Sequence, residues 1–209
     1  MIRTENLTFK YHQKETVFQF PDIHLNQTGN LLILGKSGIG KTTLLHLMAG
    51  LLKPSSGTIT IADVNLQSLN SKQLDKFTGE NIGLVFQKNY AVRSLNVMEN
   101  IQARLFFCKK KVDHSAITKL LQQLNIENCK SKKINELSEG QLQRLGIALS
   151  VIHEPKLILA DEPTASLDDE NCQAVMSLLL DQAKKNKANL VVITHDQRVK
   201  PLFQNILEL

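Results

Sequence analysis

Aromatic residues make up only 5% of the 209-residue chain, and tryptophan is absent. None interleaves the basic runs Lys109-Lys110-Lys111, Lys130 with Lys132-Lys133, or Lys184-Lys185 with Lys187. Those runs read as solvated faces, so the formal charge of +5 permits an anionic partner without requiring one. The three cysteines, Cys108, Cys129 and Cys172, are odd in number and form no CxxC pair. That argues for reduced thiols in the cytosol and against a disulfide framework or a zinc site. The six histidines show no metal-ligand spacing. No apolar run approaches the roughly 20 residues of a membrane helix, and the N-terminus reads as a strand rather than a signal peptide. Internal repeats and low-complexity linkers are also missing. What remains is 42% hydrophobic and 22% charged, enough to bury a full core.

The most informative stretch is Gly35-Lys36-Ser37-Gly38-Ile39-Gly40-Lys41-Thr42, which follows an apolar run at 31–34 and opens a helical pattern over 41–51. Strand, glycine loop and helix N-terminus in that order make a phosphate cradle. Glycines let backbone N–H groups turn inward, the helix dipole adds positive potential, Lys41 reaches the β- and γ-phosphates, and the Thr42 hydroxyl suits Mg²⁺. Thr43, next on the helix, belongs to the same nucleotide site. Chance places this pattern in only about one in a hundred chains of this length, so the loop carries real weight.

Around it, residues 2–9 and 17–25 read as strands separated by a polar turn, with further strands at 58–61 and 83–86. Residues 97–151 read as helical throughout, with Ile117, Leu120, Leu121 and Leu124 at three- and four-residue spacing. A strand at 157–160, a helix at 168–183 and a strand at 190–194 then resume the α/β alternation. The expected architecture is one α/β unit over 1–209, its core at 1–87 and 155–209 split around a helical subdomain at 88–154.

Residues 157–162 read as a buried strand delivering two carboxylates at its C-terminal end, where ligands of α/β sheets collect. Behind a phosphate loop, Asp161 is placed to hold the Mg²⁺ shell and Glu162 to polarise a water for attack on the γ-phosphate. Leu137-Ser138-Glu139-Gly140-Gln141 precedes a helix whose Leu142, Leu145, Leu149 and Ile152 share an apolar face. Ser138 with Gln141 satisfies a capping box, and the same geometry aims a serine, a glycine N–H and a helix dipole outward as a second anion site.

These motifs together resemble the ABC-type ATPases, and the resemblance covers essentially the whole chain. Its elements are Tyr11, the loop at 35–42, Gln87, the signature at 137–141, Asp161-Glu162, Ser166-Leu167-Asp168 and His195, in that order. The resemblance implies a RecA-like P-loop core with an N-terminal antiparallel β-lobe and an inserted helical subdomain, hydrolysing ATP. It also implies that Tyr11 stacks on adenine, that Gln87 touches Mg²⁺ or the attacking water, that His195 contacts the γ-phosphate, and that Asp168 helps arrange a subunit interface. Two copies would close head to tail, Ser138, Gly140 and Gln141 of one completing the site of the other. A separate transmembrane permease would receive the work, placing the chain in the cytoplasm on the inner face of the membrane, with no nucleic-acid partner.

Four positions depart from the family pattern. Glu139 replaces the first glycine of the signature, Leu149 stands where an arginine often follows, and Ala165-Ser166 replaces the usual Gly-Asn. The wording Ala160-Asp161-Glu162-Pro163-Thr164 and Asn96-Val97-Met98-Glu99-Asn100 resembles the lipoprotein-release, macrolide-export and cell-division group. The rivals are a non-transport ABC ATPase acting on DNA or the ribosome, to which the basic balance is the one favourable sign, and a P-loop kinase, which leaves the signature and Gln87 unexplained.

Overall fold

The computed structural model describes residues 1–11, 16–86, 90–165 and 167–209. In chain order its first half runs β1 (Ile2–Lys10), β2 (Val17–Gln19), β3 (Ile23–Leu25), β4 (Asn30–Leu34), α1 (Lys41–Met48), β5 (Ser56–Ile61), β6 (Val64–Asn65), α2 (Ser71–Asn81) and β7 (Ile82–Val85). The second half runs α3 (Val97–Phe107), α4 (His114–Gln123), α5 (Glu139–Val151), β8 (Leu157–Asp161), α6 (Asp169–Lys185), β9 (Asn189–Thr194) and β10 (Asn205–Glu208). A parallel sheet has the order β10-β4-β9-β8-β7. An antiparallel sheet has the order β2-β1-β5-β6, with β3 also paired to β1.

The inner parallel strands are apolar through their middles, with polar residues only at their ends, because both faces are covered. Successive side chains alternate between two cores: Leu32 and Leu34 of β4 and Leu190 and Val192 of β9 join α3 to α6, whereas Leu31, Ile33, Val191 and Ile193 face α1 and the antiparallel lobe. Helix α1 buries Leu44, Leu45, Leu47 and Met48 among residues of both sheets. The loop at its start is therefore anchored between them.

Three expectations need correction. Residues 17–25 form two strands that follow β1 in one register, broken at 20–22: Pro21 has no N–H to donate, although the Phe20 N–H still bonds the Leu7 carbonyl at 2.9 Å. Helix α1 stops at Met48, and Gly50 follows it with φ 70°. On α5 the buried positions are Leu145, Ile147, Ala148, Ser150 and Val151, while Leu142, Leu149 and Ile152 are only partly buried. The helix is covered from several sides, by β7, α3 and α6, so its buried face is turned from the stripe the spacing suggested.

Helix α2 and strand β10 were not expected. Helix α2 has no fully buried residue and only Leu74 and Phe77 packed half-buried on the core, too short a stripe to announce it; its clearest local signal is the Asn70/Gln73 capping box. Among the described residues α3, α4 and α5 lie between β7 and β8 with no strand between them, apart from an isolated bridge between Asn96 and Lys133. Cys108, Cys129 and Cys172 are buried and unpaired. No helix of the described residues is long and apolar enough to cross a membrane.

The α5–β7 contact is close enough to require glycine. A Cβ on Gly83 would collide with the Ser150 carbonyl oxygen, a backbone atom that moves only if α5 moves. Gly83→Ala is expected to destabilise the fold by about 1–3 kcal/mol, the usual cost of overpacking, read as a fall in the denaturation midpoint.

Candidate functional site

Between β4 and α1 the loop turns through Gly38 at φ 83° and Gly40 at φ 111°, the left-handed region that favours glycine. A Cβ at Gly40 would also lie 2.8 Å from the Phe18 ring, so two separate constraints hold that position. Helix α1 starts at Lys41 with no side-chain cap and no acid in its first turn. Its N-terminal amides and dipole are left for an anion from outside. Lys36, Ser37, Gly38 and Ile39 are exposed, Gly35 half-buried, and Lys41 and Thr43 buried.

Lys41 is 7% exposed. Its Nζ donates to the carbonyls of Gly35 at 2.8 Å and Lys36 at 3.2 Å, and lies 3.6 Å from Glu162 Oε1. Phosphate oxygens entering the loop would exchange with these acceptors. Tyr11 lies beside the same helix start, its hydroxyl 3.0 Å from the Thr43 hydroxyl and its ring edge-on to Phe9 and Phe18.

The carboxylates arrive on β8. Thr42 Oγ1 donates to Asp161 Oδ1 at 3.4 Å across the gap between α1 and β8. Burial pushes the Asp161 carboxyl above its usual range; the Thr42 bond opposes that and the neighbouring Glu162 reinforces it. A cation there would relieve the cost. The pair is hard oxygen, suited to Mg²⁺, which keeps several waters and takes one or two carboxylates with substrate phosphates. Among the described residues no group of three or more His, Cys, Asp or Glu side chains could hold a metal, so such an ion would depend on the nucleotide for ligands.

Glu162 adopts φ 48°, in the left-handed region, which is rare outside glycine and here turns the chain sharply off β8. Its carboxylate accepts from the Thr194 hydroxyl at 2.7 Å, the His195 N–H at 3.3 Å and His195 Nδ1 at 3.0 Å. Burial raises its pKa, but the His195 and Thr194 hydrogen bonds outweigh that and hold it below the usual carboxylate range. Lys41, Asp161, Glu162 and His195 thus gather from α1, β8 and β9 in front of one helix N-terminus. A base candidate beside a cationic phosphate cradle is the arrangement that phosphoryl transfer to water needs.

The signature stands apart. Ser138 caps α5 by accepting from the Gln141 N–H at 3.3 Å, and the Gln141 side chain accepts from the Ser138 N–H at 3.1 Å. Among the described residues no hydrogen bond joins Ser138, Gly140 or Gln141 to the phosphate loop. Glu139 is exposed, so its charge faces solvent. Asp168 is also exposed and caps α6 through Asn171. Gln87 and Ser166 lie outside the described residues.

Sequence reasoning missed Thr194, which orients Glu162, and the cluster of Thr164, Asp196 and Arg198 behind it. The adjacency Thr194-His195-Asp196 was the available signal. It also missed the Gln143 amide donating to the Pro163 carbonyl, which ties α5 to the turn after Glu162. A cleft of about 1040 Å³ lies among α3, α5 and β7, with Glu162, Leu142, Phe107 and Tyr90 in its lining; none of residues 35–43 lines it.

A family profile for ABC transporters matches residues 19–165. The lipoprotein-releasing system ATP-binding protein LolD of Legionella pneumophila strain Lens is 33% identical over 100% of this chain and 94% of its own length. LolD of Treponema denticola is 34% identical over 90% of this chain and 84% of its own. Among solved structures, the dimeric bacterial ABC transporter cassette MJ0796 has a TM-score of 0.89 at 29% identity, covering 100% of this chain and 94% of that one. The same cassette, dimeric in a post-hydrolysis state bound to ADP and Pi, also scores 0.89. Clostridium perfringens cbiO1, part of the ABC transporter complex cbiONQ, scores 0.86 at 28% identity, covering 99% of this chain and 83% of that one.

Proposed function

The chain belongs to the ABC transporter family as an ATP-binding, ATP-hydrolysing subunit, and from that premise we propose that two copies close head to tail around two ATP molecules and drive a separate transmembrane subunit. The observation that carries this reading is the convergence of Lys41, Asp161, Glu162 and His195 at an uncapped helix N-terminus whose loop residues 36–39 lie exposed. The transporter assignment rather than action on DNA or the ribosome follows the relatives.

Backbone N–H groups of residues 35–43 and the Lys41 ammonium hold the phosphates, and Tyr11 supports the adenine. Thr42, Asp161 and Gln87 hold Mg²⁺, which when bound offsets phosphate charge. Glu162 orients the attacking water, and His195, fixed through Nδ1, keeps Nε2 for the γ-phosphate. Ser138, Gly140, Gln141 and Asp168 act on the partner copy. The helical segment at 88–154 is proposed as the subdomain that receives the membrane subunit, at the cleft whose rim exposes Tyr90 at 74% and Phe107 at 77%. Exposed aromatics beside an apolar cleft suit an anchor from a partner. The chain would then lie on the inner face of the membrane. Two of its relatives are named for lipoprotein release, and the same class of work is proposed here.

Mixing variants tests the composite site. A dimer of one Ser138→Arg copy and one Lys41→Ala copy retains one intact site if Ser138 acts in trans, and two singly damaged sites if it acts in cis. ATP hydrolysis by the mixture well above that of either variant alone is the expected result; equal inactivity of all three counts against the trans arrangement.

A further inference from the structure

Arg198, three residues past His195 in the 3₁₀ turn Gln197–Leu202, donates in three directions at once. Its Nε and one terminal nitrogen reach the two oxygens of Asp196 at 2.9 and 2.8 Å. The other terminal nitrogen reaches Asp169 Oδ1 at 2.6 Å, and both terminal nitrogens reach the Leu167 carbonyl at 3.2 Å. Asp196 is bound on its far side by the Thr164 hydroxyl at 2.9 Å. The backbone N–H of Asp196 donates to Thr194 Oγ1 at 3.0 Å, and that hydroxyl donates to Glu162 at 2.7 Å. A path of hydrogen bonds, joined through the residue Asp196 itself, therefore runs from the Leu167 carbonyl through Arg198, Asp196 and Thr194 to the Glu162 carboxylate.

We propose that Arg198 is a positioning residue that fastens the loop carrying Leu167 and Asp168 to the Glu162–His195 pair, so that a second subunit pressing on that loop sets the catalytic carboxylate. The inference rests on the dimer reading above and adds to it a link inside each subunit. Only a planar fork of donors can hold a carboxylate at both oxygens and a carbonyl together; a lysine ammonium in its place keeps the charge and loses the geometry. A purely structural tie between α6 and the 3₁₀ turn needs Asp169 alone. The additional grip on the Leu167 carbonyl, in the loop that leads from the Glu162 turn to α6, points to a role in placing that loop. The Arg198 hydrogen bonds also hold the Asp196 carboxyl well below its usual range, so the clamp stays charged throughout the neutral range.

The test uses the full chain with ATP and Mg²⁺, comparing Arg198→Ala and Arg198→Lys in the parent and in an Asp168→Ala background, with thermal melts alongside. A misplaced carboxylate should lower kcat by about ten- to a hundredfold while KM stays within about twofold. Arg198→Lys should restore the melting temperature more than it restores kcat. With Asp168→Ala already present, Arg198→Ala should cost little further, since both act through one loop. The proposal is overturned if Arg198→Ala keeps kcat within about twofold of the parent, or if Arg198→Lys recovers kcat and melting temperature in step. Full additivity of Arg198→Ala with Asp168→Ala also overturns it. If Arg198→Ala does not fold, the split between melting temperature and kcat in Arg198→Lys decides. A parent chain that neither hydrolyses ATP nor dimerises sinks the proposed function itself, an outcome separate from any of these.

Discussion

Lys41→Ala protein is expected to fold as the parent does, to bind ATP weakly, and to hydrolyse none above background. The Lys41 ammonium is almost fully enclosed and is held by two loop carbonyls and the Glu162 carboxylate. All three partners belong to the site, so the side chain serves the loop more than the core. Each charged hydrogen bond lost to phosphate weakens binding by about 1.5–3 kcal/mol, roughly ten- to a hundredfold or more in affinity. Hydrolysis suffers further, because charge builds on the phosphoryl oxygens in the transition state. The fold should hold: the carbonyls sit beside exposed loop residues where water can replace the ammonium, and Glu162 keeps its donors from Thr194 and His195. Equilibrium binding of ATP, turnover and a thermal melt on one preparation check all three statements. Turnover near the parent rate would remove Lys41 from the phosphate site.

What could be read from the chain alone was whatever is encoded by neighbours in sequence. The loop at 35–42 is a local object, since its glycines, lysine and threonine work through the backbone that carries them, and β8 declared itself by four buried apolar residues ending in two acids. The Ser138 capping box was legible for the same reason. Helix α2 was not, because Leu74 and Phe77, both only half-buried, are its whole apolar face, too short a pattern to show a period, and its cap at Asn70 is a weak signal beside a polar composition. The face of α5 was misjudged because periodicity reports how apolar residues are spaced and not how many neighbours surround a helix. Thr194 and Arg198 were missed for a deeper reason. Their partners Glu162 and Leu167 lie 32 and 31 positions away, and only the parallel pairing of β8 with β9 brings the two strand ends together. The left-handed backbone of Glu162 is likewise invisible in a sequence where any acid would read the same.

Glu162→Gln should separate binding from chemistry more sharply than any other single change. The amide has the shape of the carboxylate, and its oxygen can still accept from the Thr194 hydroxyl, so the turn after β8 and its left-handed backbone are retained. What is lost is the negative charge that takes a proton from water, a contribution of about 10²–10⁴ in rate for a positioned general base. The charge opposite Lys41 at 3.6 Å goes as well, freeing the ammonium for phosphate, so ATP affinity should equal or exceed that of the parent. Stability moves in a defined pH window. The folded carboxyl lies below its unfolded value of about 4.3, so its ionisation stabilises the parent above that value and ceases to as pH falls through the lower folded one. The stability gap between parent and variant should therefore be present at neutral pH and close in acid. In ATP and Mg²⁺ the variant should collect as a closed dimer, because hydrolysis no longer opens it, and size-exclusion chromatography with light scattering reads this directly. Hydrolysis at the parent rate would take the catalytic role from Glu162. A variant that stays monomeric with ATP bound would show that closure needs the membrane subunit, which would then be part of the switch and not only its load.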